Sequence, residues 1–107
     1  MSELIGKFKE DFYAYIITEL RKMEGVGNRF FDETIIQQFE TMPICFKNAM
    51  IIDFFDSFGI YTNAINYNNQ GYWKPVCENE TTNVGYKSRK EAIEIAIKWA
   101  IEFYNKI

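Results

Sequence analysis

The chain has 107 residues (12.7 kDa), 48% of them apolar and 25% charged, with only two Pro and six Gly, a balance that folds and that excludes a disordered or fibrous protein. Twelve Lys and Arg against fifteen Asp and Glu leave a formal net charge of -3, which weighs against coating nucleic acid by charge alone. The absence of His removes the commonest general base and the commonest transition-metal ligand together, so neither an enzyme nor a metal or cofactor site is expected.

Residues 2–24 place Ile5, Phe8, Phe12, Tyr15, Ile16, Leu20 and Met23 at steps of three or four, which predicts an amphipathic helix. Ser2 is positioned to cap its start, Arg21 and Lys22 suit the negative end of its dipole, and Gly25 and Gly27 permit its stop. A second helix is predicted over 32–41, with Asp32 as N-cap, Phe31 and Ile36 as a hydrophobic staple, and Ile35, Phe39 and Met42 facing inward. Pro43 separates it from a third helix over 44–58, closed by Gly59, whose apolar residues surround nearly the whole circumference. Burial on most sides is expected there. If Phe46, Met50, Ile51 and Phe54 reach the surface together, they need a partner, and a homodimer is the commonest solution.

After Gly59 the apolar period changes to two. Residues 60–67 and 72–78 read as the strands of a β-hairpin, joined by a turn at Asn68-Asn69-Gln70-Gly71. Pro75 lacks a ladder donor and predicts a free edge or a bulge on the second strand. Residues 79–83 read as a polar loop, and 84–87 as a short third strand. In Ser88-Arg89-Lys90-Glu91 the spacing of Ser and Glu is that of a capping box, opening a helix that runs to about Asn105. Ala92, Ala96 and Ala100 give this helix a ridge of small side chains for close packing. The order predicts a single α+β domain over 1–107: three N-terminal helices, a small antiparallel sheet of two or three strands, and a C-terminal helix packed on the sheet.

Charged residues Lys7, Lys9, Glu10 and Asp11 interrupt the N-terminal segment, so neither a signal-peptide core nor a membrane-spanning stretch is expected, and the expected location is cytoplasmic. Cys45 and Cys77 lack the spacing of a zinc or redox motif and read as reduced packing residues. Cys77 beside Glu78 is a poor nucleophile without a His to activate it. Asp53 and Asp56, three apart on the third helix, have the spacing to share a hard cation, but without an acidic Gly-containing loop they read as a solvated strip. Tyr61, Tyr67, Tyr72, Trp73 and Tyr86 cluster on the predicted strands. Cross-strand packing beneath the last helix accounts for most of them, and rings on the other face form a candidate contact surface. Lys87, Arg89 and Lys90 stand at the start of the last helix, whose first amides favour an anion.

Residues 88–104, Ser-Arg-Lys-Glu-Ala-Ile-Glu-Ile-Ala-Ile-Lys-Trp-Ala-Ile-Glu-Phe-Tyr, resemble the final helix of double-stranded RNA binding domains, where a Ser-Lys-Lys run opens an Ala-rich helix after a three-stranded sheet. That likeness implies phosphate contacts from Lys87, Arg89 and Lys90. The strand and helix pattern with Gly71-Tyr72 and Glu91-Ala92 resembles HicB-type antitoxins, without their Pro-Gly-Cys strand segment. The last third of the chain, finishing at Tyr104-Asn105, resembles small phage or mobile-element proteins of unknown function, which implies a phage or prophage origin and assigns no activity.

The reading is therefore a small non-catalytic interaction protein that binds a protein partner or itself, as a homodimer, without a membrane or a cofactor. The alternative is a nucleic-acid-binding module using Lys87, Arg89 and Lys90 with Tyr72, Trp73 and Tyr86.

Overall fold

The computed structural model describes residues 4–23, 27, 30–66, 71–82 and 84–107. Within them the chain forms α1 (Gly6–Arg21), α2 (Asp32–Thr41), α3 (Ile44–Ser57), β1 (Thr62–Asn66), β2 (Trp73–Cys77), β3 (Glu80–Thr81) and α4 (Arg89–Lys106). This is the expected α+β arrangement, with α4 packed on β1 and β2.

The stripe in α1 is used as its period predicts: Phe8, Phe12, Ile16 and Leu20 are buried. Ser2, the expected cap, lies outside the described residues, as does Gly25. The helix starts after Ile5 with no local side-chain cap, and the far end of the chain supplies one. Asn105 Oδ1 accepts the Phe8 N–H at 2.7 Å, and Asn105 Nδ2 donates to the Ile5 carbonyl at 3.1 Å, so one carboxamide serves a donor and an acceptor at the helix start. At the other end Arg21 donates to the carbonyls of Gly27 and Phe30 and to the Asp32 carboxylate at 2.6 Å, which joins the end of α1 to the start of α2.

Asp32 is accordingly not the N-cap of α2. Phe31 holds that position, no side chain caps the helix, and Asp32 opens it as an anion near the positive end of the dipole. The expected staple is also absent, since Phe31 is 81% exposed. Ile35 and Phe39 are buried and Met42 half-buried, as expected.

Helix α3 departs most from expectation. Only Asn48, Ile51, Phe54 and Phe55 are buried, a single face rather than a full circumference, and Phe46 and Phe58 are exposed. Its end is a Schellman turn: Gly59, at φ +72°, donates to the Asp56 carbonyl, and Ile60 donates to the Phe55 carbonyl at 2.9 Å. The helix enclosed on most sides is α4, where Ala92, Ala96, Ile97, Ala100, Ile101 and Tyr104 are buried between the sheet and α1 and α3. Ser88 Oγ accepts the Glu91 N–H at 3.1 Å, which is the local half of the expected capping box.

The sheet has the order β1-β2-β3, antiparallel throughout. Thr62 faces Cys77 and Asn66 faces Trp73 in the first pair. The turn predicted at Asn68-Asn69-Gln70 lies outside the described residues, as does Tyr67. The third strand is not at 84–87 but at Glu80–Thr81, inside the segment expected to be a loop. Glu78 takes φ 54°, and Glu78 and Asn79 form a two-residue hairpin turn that brings Glu80 opposite Cys77. From 84–87 only Tyr86 pairs, as an isolated bridge to Trp73. Between these contacts the edge of β2 is interrupted at Pro75, where Thr81 Oγ1 donates to the proline carbonyl at 3.0 Å. The missing N–H thus falls where the backbone ladder is broken, as the proline predicts.

The core is aromatic. Phe8 stacks on Phe12 and Phe55, with centroids at 5.3 and 5.2 Å, and Tyr104 meets Phe54 edge to face at 5.4 Å. It joins α1 and α3 to the C-terminal end of α4.

Candidate interaction surfaces

Of the basic and aromatic residues singled out in the sequence, Tyr72, Trp73, Tyr86 and Arg89 meet at one corner of the fold, whereas Tyr61 stands opposite Glu78 at the other end of the sheet. Trp73 opens β2, and its backbone exchanges two hydrogen bonds with Tyr86, at 2.7 and 2.8 Å. Arg89, the first residue of α4, lies over the Trp73 ring at 5.6 Å. Tyr72 packs against Gly85 so closely that a Cβ there would stand 2.9 Å from the Tyr72 Cβ. Lys87 lies between this bridge and α4, and Lys90 turns toward a cleft beside α3. Trp73 and Tyr86 are half-buried, so much of their surface serves packing, and the indole face is shared with Arg89. Tyr61 and Tyr72 keep more exposure.

A second surface lies on the helical half. Phe46 is 61% exposed and Met23 57% exposed. Between α1 and α3 runs an open groove of about 380 Å³ formed by Leu20, Met23, Met42, Phe46 and Met50, with the carboxylates Glu19 and Asp53 at its margin. The sequence marked Phe46 and Met50 as residues needing cover. It gave no sign that Met23 and Met42, from other elements, would join them, because that juxtaposition depends on the angle between α1 and α3. Methionines suit such a surface, since their unbranched thioethers adapt to a partner's shape.

Asp53 and Asp56 are both exposed, and among the described residues no group of three potential ligands gathers. Cys45 is exposed and Cys77 buried, and both are free thiols. Burial, with smaller contributions from the Glu78 and Glu80 carboxylates, pushes the Cys77 thiol up to about 11, so it stays protonated near neutrality. No helix among the described residues is long and apolar enough to cross a membrane.

Comparison with protein-family models, with curated proteins and with solved structures found no match.

Proposed function

We propose that this chain is a small non-catalytic interaction protein that binds a protein partner or a second copy of itself through the apolar face shared by α1 and α3. The observation that carries the reading is Phe46, a large ring 61% exposed at the lip of a groove lined almost entirely by apolar side chains. A contiguous surface of this kind on a small domain marks an interaction site. Self-association about a two-fold axis uses the same patch twice and needs no further component. Sedimentation velocity over a concentration series tests this form: a growing dimer fraction is expected, with Phe46→Glu monomeric at every concentration. A wild-type chain that is strictly monomeric would remove the homodimer.

The absence of His and the protonated Cys77 thiol support the non-catalytic part of the proposal. The likeness of residues 88–104 to phage and mobile-element proteins supports an origin of that kind.

A second reading, nucleic-acid binding, draws on the convergence of Lys87, Arg89 and Lys90 with Tyr72, Trp73 and Tyr86 at one corner. The net charge of -3 limits it, and the expected affinity is weak, with Kd on the order of 10⁻⁴ to 10⁻⁶ M at physiological salt. Anisotropy titrations showing nanomolar binding that falls steeply with salt would place this reading first.

A further inference from the structure

The groove between α1 and α3 is apolar at one end and acidic at the other. Met42, Phe46 and Met50 line it near the start of α3, and Asp53 stands at the far end, about 10 Å beyond Phe46 along the helix. Asp56, three residues on, shares the face of Asp53. Both carboxylates are exposed, and neither has an ion-pair partner among the described residues. Their place is unfavourable within the chain itself. They occupy the final turns of α3, at the negative end of its dipole, and the last turn holds no basic side chain. Across the groove Glu19 is met by Lys22 in an exposed pair of the weak surface kind. The Tyr15 hydroxyl lies within the field of all these groups: burial first, then Glu19, Asp53 and Asp56, with Lys22 opposing, raise it above its ordinary value near 10.

The walls decide what shape of partner fits. Both are helices, whose backbones bond to themselves and offer no free strand edge, so an extended peptide would carry unsatisfied amides into an apolar slot. A helix brings none. Apolar residues at spacings of three and four would cover Met23, Phe46 and Met50, whose neighbouring thioethers adapt to the ridge they meet, and a Lys or Arg about two turns along would come over Asp53 and Asp56. A second copy of this chain meets only the apolar half of that demand, because the helix that carries Phe46 carries Asp53 with it. At longer range residues 1–58 hold ten acidic and six basic side chains, a field that draws a cation toward this half of the molecule.

We infer that the preferred occupant of the groove is a cationic amphipathic helix of a partner protein, which displaces a second copy of this chain. The inference rests on the reading of the face shared by α1 and α3 as an interaction surface, and it adds the chemistry of what that surface takes.

The test is an NMR titration of the full chain with a helix-forming peptide of about five turns, carrying Leu on one face and Lys on the other. One control peptide replaces every Lys by Glu, and a second keeps the composition but scrambles the order so that no apolar face forms. The Lys peptide is expected to shift the amide resonances of Met23, Phe46 and Met50 saturably, and to bind at least about tenfold more tightly than either control. Asp53→Asn with Asp56→Asn is expected to weaken it about tenfold and to flatten its fall with salt, while raising Tm because two carboxylates leave the negative end of the dipole. Glu80→Gln with Glu102→Gln, which removes the same charge from exposed positions on β3 and α4, is expected to leave binding within about twofold. Sedimentation of the saturated chain is expected to show one chain with one peptide and no dimer. Equal binding of either control, unchanged binding by the Asp53 and Asp56 variant, or a dimer that persists beside bound peptide would overturn the inference. A chain that dimerises but binds no peptide would overturn it and leave self-association standing; one that does neither would remove the interaction surface beneath both.

Discussion

Two adjacent side chains near the end of the chain fasten α4 to α1. Asn105 caps the start of α1, and the Tyr104 hydroxyl donates to Asp11 Oδ2 at 2.6 Å. Asn105→Ala removes both bonds to the helix start and is expected to cost about 1–2 kcal/mol, as for loss of a local N-cap, read as a lower midpoint in chemical denaturation. Burial first, then the hydrogen bond to Asp11, pushes the Tyr104 hydroxyl up to about 12 from its ordinary value near 10. Its neutral form is thus favoured in the folded chain, so this stability is fully present below about pH 10 and is lost as pH rises through about 12. Cys77 acts the same way from about 9 to about 11. Denaturation midpoints measured across pH 8.5–12 are expected to fall, and Tyr104→Phe to flatten the upper part of that fall. Neither fastening was legible in the sequence. The pair drew notice only as the end of a familiar-looking helix, and its work depends on contacts across 93 and 97 positions that no local pattern encodes.

Among the elements, those whose evidence is a period were legible. The stripe of α1, the inward residues of α2 and the Ala ridge of α4 all follow from the 3.6-residue repeat. The third strand escaped because Glu80 and Thr81 are polar, exposed and only two residues long, so backbone pairing alone makes them a strand. The available signal was Glu78-Asn79, a polar pair able to form a tight turn directly after an apolar strand. The enclosure of α3 was overestimated for a different reason. Apolar content reports what a helix can bury, but which helix lies at the centre depends on packing, and the small faces of Ala92, Ala96 and Ala100 brought α4 against the sheet instead. Ala96→Leu is therefore expected to overpack the interface of α4 and cost about 1–3 kcal/mol, measured by thermal melting. Removal of residues 88–107 exposes the inner faces of the sheet and of α1 together. It is expected to abolish the cooperative transition seen by circular dichroism.

For the whole molecule, the radius of gyration is 15.0 Å, against about 13 Å expected for a compact chain of this length, with extents of 48 × 28 × 20 Å. Such elongation leaves less interior per residue, and the apolar ring of Phe46 stays outside it. The basic and aromatic corner was legible residue by residue in the sequence, whereas the groove was legible only in part, since Phe46 and Met50 needed Met23 and Met42 from other elements to form it. At the groove's margin Glu19 is paired with Lys22 Nζ at 3.0 Å, which leaves the Asp53 carboxylate to give the rim a negative sign. Two such rims brought together repel, so raising salt is expected to strengthen self-association by screening, measured as the dimer dissociation constant by sedimentation. Contacts to a phosphate backbone would respond in the opposite sense and weaken. In the proposed self-association Phe46 of one copy packs against the groove of another, and an isotope-filtered NOE experiment on a mixture of labelled and unlabelled protein tests that contact directly. Intermolecular contacts from the Phe46 ring to the methyl groups of Met23 and Met50 are the predicted result; a spectrum without them, or with contacts from the outer sheet residues Ile65 and Val76 instead, would contradict it.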